Sequence, residues 1–172
     1  MGKSSALPVA WVSLRILVLL NILSGIAILA LLLATVVARD WTFTALGITP
    51  ASGIPQVMLG LQLVAVLGIV AVVINHGILK RLLAIVETVG IGDPFVAANA
   101  YRLQAIAWLL LVLQILSMVI GAIGKAVSTP AHPVHLDAGL SVSGWLAVLL
   151  TFILARVFAE GTLMRADLEG TI

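Results

Sequence analysis

The sequence predicts an all-α integral membrane protein: four transmembrane helices in a single domain spanning residues 1–172. Three observations predict it. The chain is 62% hydrophobic and only 9% charged, where a soluble domain carries about 25% charged residues. Four apolar runs of about 17 to 24 residues each match a hydrocarbon core of roughly 30 Å. They are continuous, so helices that pair their own backbone groups are the form that suits lipid, and the alternating segments of a barrel are not seen. Lys and Arg, finally, fall mostly in alternate connections.

The first span is placed at Leu14–Val37. Val36 and Ala38 fit a small-residue cleavage rule, but the apolar run before them exceeds the roughly 7–15 residues of a secretory leader. A retained anchor is therefore expected. Ala6 stands where a myristoylation motif needs Ser or Thr. The second span covers Val57–Leu79, opened by Pro55 in its first turn. Its apolar pattern continues through Leu82, Leu83 and Val86 at helical spacing, which predicts an amphipathic extension.

Residues 80–102 then read as a helical hairpin. Gly90 and Gly92 stop one helix, since glycine suits the left-handed residue at a helix end. Asp93 is a good N-cap and Pro94 a good first helical residue, so the third helix is expected to start at Pro94. Phe95 and Val96 are expected to pack on the second helix. Asn99 and Arg102, three residues apart, share a face.

The third span is Leu103–Ile123 and the fourth Val142–Phe158, the latter continuing into "LARVFAEGTLMRADLEG". Arg156 and Glu160 are i,i+4 neighbours, and Arg102, Arg156 and Glu160 are expected to tie the third and fourth helices together. The connection between them holds His132, His135 and Asp137. With Pro130 and Pro133 beside them it reads as an extended polar connector, and no metal site is expected.

With the N-terminus inside, the inner side holds Lys3, Arg15, Lys80, Arg81, Arg102, Arg156 and Arg165; the outer side holds Arg39 and Lys125. This bias places both termini and the 80–102 hairpin in the cytoplasm. Helices two, three and four would then extend into it. Asn21, Gln62, Asn75, His76, Gln104, Gln114, Ser117 and Thr151 lie within or at the edges of the spans and read as packing polar groups.

No Asp or Glu lies in the middle of a span, as a proton-coupled transporter would need. There is no HExxH, GxSxG, phosphate loop or cysteine. No enzyme activity, cofactor or direct nucleic-acid binding is expected.

At "GDPFVAANAYRLQAIAW" and "LARVFAEGTLMRADLEGTI" the chain resembles small bacterial four-span proteins grouped as the domain-of-unknown-function 2975 family. The shared features are the Gly-Asp-Pro-Phe turn, Asn99, Arg102–Leu103, the Ile-Ala-Trp run and the Ala-Arg-Val-Phe…Glu-Gly ending. The chain departs at Ala98 and Tyr101, where members often carry charge. The resemblance implies a bacterial inner-membrane protein with no assigned activity. Its genes' proximity to Xre-type helix-turn-helix regulators implies such a regulator as a soluble partner. The expected site is therefore a docking surface or structural polar cluster of Asp93, Asn99, Arg102, Arg156 and Glu160 around the Gly90–Gly92–Pro94–Phe95 turn. Besides the bilayer and that regulator, a second copy of the chain is a candidate partner. The alternative is a small oligomeric transporter or channel.

Overall fold

The structure, a computed structural model, describes residues 6–38, 54–128 and 139–169. They form α1 (Ala6–Val37), α2 (Ile54–Gly90), α3 (Ala97–Val127) and α4 (Val142–Glu169). No strand occurs among the described residues. All four helices are long and apolar enough to cross a membrane, so this is a multi-pass membrane protein.

Each helix outruns its predicted span. Nothing between Lys80 and Val89 breaks a helix, and α2 runs unbroken for 37 residues, about 55 Å at 1.5 Å per residue. At 31 residues α3 is nearly as long. Both exceed a core of about 30 Å, so they tilt strongly or emerge from it.

Successive helices are antiparallel. Asn21 of α1 meets Val72 and Asn75 of α2. Thr88 of α2 meets Asn99 of α3. Trp108 of α3 lies edge-on to Phe152 of α4, ring centroids 5.3 Å apart. The start of α1, the end of α2, the start of α3 and the end of α4 therefore share one end of the molecule. That end carries Arg15, Lys80, Arg81, Arg102, Arg156 and Arg165, while Lys125 sits near the other. Arg15 stacks 3.8 Å above the Trp11 ring, a cation–π contact worth about 0.5–1 kcal/mol at an exposed site.

The helices form a row rather than a ring. α1 packs on α2, α2 on α3 and α3 on α4; among the described residues no other pair of helices packs together. The core is small and concentrated toward the basic end: Ile78 and Leu79 of α2, Leu103, Ile106 and Ala107 of α3, and Ala155 of α4 are buried. Large apolar side chains elsewhere, especially along α1, are exposed, as lipid allows.

Polar groups at depth split by role. Asn21 donates its amide to the Val72 carbonyl (3.1 Å) and accepts from the Asn75 amide (3.0 Å). This clasp joins α1 to α2; such bonds average about 0.6 kcal/mol in membranes. Thr151 only back-bonds to Ala147 in its own helix. Gln114, on α3 against α4, is buried with its amide nitrogen unpartnered. A buried donor without a partner costs about 1–3 kcal/mol. Gln114→Met, which keeps the volume and removes the orphan, is therefore expected to be neutral or to stabilise by about 1 kcal/mol. Thermal unfolding in detergent would read this, and a clear loss of stability would show that the amide has a bound partner.

Candidate functional site

The basic end is where the structure concentrates its polar chemistry, and Gly92 organises it. Gly92 has φ +92, a left-handed conformation that a side chain disfavours. Its N–H donates to the Val89 carbonyl, and the Asp93 N–H reaches back to Thr88 (both 3.1 Å). Together these bonds form a Schellman closure, which satisfies carbonyls at the end of α2. Gly90 is still helical. The two glycines should therefore respond with opposite signs. Gly92→Ala should cost about 1–2 kcal/mol. Gly90→Ala meets nothing within 4 Å and should gain up to about 1 kcal/mol. Unfolding midpoints of the two variants check this; equal shifts would count against the closure.

The third helix does not begin at Pro94. α3 begins at Ala97, its N-cap is Val96 in an extended conformation, and no side chain caps it. Asp93 is committed elsewhere: its backbone N–H closes α2, and its carboxylate pairs with Arg165 of α4. Residues 93–96 stay non-helical, which carries Phe95 across to α4. There its ring stacks on Phe158 at 5.2 Å between centroids and lies over Gly161, where a Cβ would stand 3.0 Å from it. Phe95 was expected on the second helix; the contact that forms is with the fourth.

Asn99 is fully buried and holds the hairpin shut. Its amide donates to Thr88 Oγ1 (2.7 Å) and to the Pro94 carbonyl (2.9 Å). Its Oδ1 accepts from Arg102 Nη1 at 2.8 Å. The same Arg102 nitrogen points at the Ala84 carbonyl of α2, 3.4 Å away. The Thr88 hydroxyl donates to the Ile85 carbonyl, so the chain of bonds is complete. Asn99 and Arg102 do share a face, and that face is turned inward on α2.

Of the expected cluster, Glu160 does meet a basic side chain, Arg156, along α4; Arg102 does not join them, so no tie between α3 and α4 forms there. Arg102 is spent on α2 and α3, while Arg156 Nε meets Glu160 Oε1 at 2.7 Å within α4. That pair is exposed, at 79% and 56% for the two side chains, where ion pairs contribute about 0–1 kcal/mol. The fastening of α4 to the hairpin comes instead from Asp93–Arg165 and Phe95–Phe158. Arg165 and Phe158 were missed from sequence. Their signal was the run of α4 past Phe158, which puts them level with the turn.

Beside this fastening a cavity of about 490 Å³ opens between α3 and α4, lined on its floor by Ala97, Ala100, Ala155 and Ala159. Tyr101, Gln104 and Arg156 also line it.

Among the described residues no group of three or more His, Asp or Glu could hold a metal. His132, His135 and Asp137 lie outside the described residues, as do Lys3 and Arg39. A family model described as "Protein of unknown function (DUF2975)" matches residues 77–172. No curated protein and no solved structure matches the chain.

Proposed function

The chain belongs to the DUF2975 family, and from that premise we propose that it is a membrane-anchored regulatory protein whose basic end docks a soluble cytoplasmic partner. One observation carries this reading. The α2–α3 turn and the end of α4 are fastened into one piece at the basic end, and that piece still exposes Ile91 (85%), Leu163 (65%) and Met164 (63%). Large apolar side chains on a pre-formed surface are what an amphipathic helix of a partner packs against.

The basic end faces the cytoplasm by the positive-inside rule, which puts both termini and the turn inside. Helices two, three and four then reach past the bilayer. The membrane is the bacterial inner membrane, and a helix-turn-helix regulator is the partner class that the family resemblance implies. The transporter alternative calls for broken helices or ionisable groups near the midplane; the four helices here are continuous.

A photo-cross-linking residue at Ile91 or Leu163 should capture one soluble protein in the native host, and one at lipid-facing Val112 should not. With the cross-linker at Leu163, Ile91→Asp with Met164→Asp should keep membrane insertion and lose that capture. Reporter fusions after Glu169 should give a cytoplasmic signal. A signal from the opposite side, or equal capture by the double variant, would sink the proposal.

A further inference from the structure

We propose that the groove between α3 and α4 is a phospholipid site, taking the phosphodiester of one bilayer lipid and the upper part of one acyl chain. The groove follows from small residues meeting small residues. Ala97 and Ala100 on α3 face Ala155 and Ala159 on α4, so the two helices leave about 490 Å³ open. The floor is apolar and without charge, as an acyl chain requires. Phe152, braced by Trp108, stands at the membrane-ward end.

The rim is of the opposite character. Tyr101, Gln104 and Arg156 line the same cavity, and all three side chains are exposed. Among the described residues the Tyr101 hydroxyl and the Gln104 amide make no hydrogen bond, and Arg156 gives only Nε, to Glu160. Both terminal nitrogens of its guanidinium remain. Arg156 is a donor only, and Tyr101 and Gln104 can each donate as well as accept, so an acceptor with several oxygens matches all three.

Depth selects among such acceptors. Gln104 is the second residue of the third predicted span, and Arg156 lies two residues before the end of the fourth. The rim thus stands where hydrocarbon gives way to headgroups. The Gln104 amide and the Tyr101 hydroxyl stand exposed at that boundary, open to a headgroup. A phosphate accepts from both and pairs with the guanidinium in charge-assisted bonds. Its attached chain continues along the alanine floor. Leu163, on the docking surface, also lines this groove, but the two readings are tested apart, since this one is read on purified protein without any partner.

The experiment is native mass spectrometry of the protein in mild detergent, supplied with phosphatidylglycerol, with dioleoylglycerol or with inorganic phosphate. Wild-type protein should retain one phosphatidylglycerol and hold dioleoylglycerol at least about tenfold less well, a factor set by loss of the charge-assisted bonds. Arg156→Gln, at an exposed side chain that the fold does not need, should weaken phosphatidylglycerol retention by a similar factor. Ala100→Leu, which fills the floor, should weaken it too, with helicity by circular dichroism unchanged. Equal retention of the two lipids would overturn the proposal. So would wild-type retention by Arg156→Gln. Inorganic phosphate held with the same Arg156 dependence would make this a free-anion site and overturn the lipid assignment.

Discussion

Asn99→Leu is expected to open the basic end of the protein and to cost about 3 kcal/mol. Leucine keeps the branched shape, but its methyls are bulkier than the amide atoms they replace at this fully buried site, so overpacking adds to the polar loss. The Pro94 carbonyl and Arg102 Nη1 both lose a partner that now sits 2.9 and 2.8 Å away. Both bonds are part-buried, and Arg102 Nη1 keeps only its long reach of 3.4 Å to the Ala84 carbonyl; a buried polar group left without a good partner costs about 1–3 kcal/mol. Thr88 keeps its bond to Ile85 and is not orphaned. Thr88→Val should consequently be milder, near 1 kcal/mol. Thermal unfolding in detergent and hydrogen exchange over residues 88–102 would read both variants. Exchange unchanged in Asn99→Leu would show that the turn is held by Phe95 and Asp93 alone.

Gly25→Leu is the second large effect, expected at about 2–3 kcal/mol through overpacking. Even a bare Cβ at Gly25 would come within 2.9 Å of Val72 Cγ1, and leucine adds three more carbons. Val72 is also the residue whose carbonyl receives the Asn21 amide. Pushing the helices apart there breaks the clasp as well as the packing. The chain has no cysteine, so cysteines introduced at Ile28 and Gly68, which face each other across α1 and α2, report the separation cleanly. Cross-linking yield should fall sharply in Gly25→Leu. An undiminished yield would mean that the interface absorbs the leucine.

The four helices were legible because lipid leaves so little choice. An apolar run long enough to cross must pair its own backbone, and the lengths and hydropathy sufficed to find each one. The turn was half legible. Glycine marked the stop, but two glycines stand two residues apart, and only the hydrogen bonds of Gly92 and Asp93 tell which one closes the helix. Asp93–Pro94 carried a good local start signal, and the structure passed it over. A carboxylate with an arginine within reach across the fold need not cap its own helix. Local rules rank local options; they do not know that Arg165 arrives from 72 residues away. Asn99 shows the same limit. Its type and spacing said polar and paired with Arg102, yet nothing in the pattern distinguishes a face turned to water from one turned onto α2. Phe95 meets α4 because the extended residues 93–96 carry its ring there.

The row arrangement has a consequence for how the protein is made. Each helix packs only on those adjacent to it in the chain, so the second helix to leave the ribosome finds its partner already inserted, and the third and fourth do likewise. No apolar face has to wait for a distant segment, and no loop has to close over a long stretch before it is rewarded. Assembly can proceed by accretion, from α1 toward α4. The last event is then the arrival of Arg165 and Phe158 at the turn, so the finished basic end exists only once the whole chain through α4 has been threaded into the membrane.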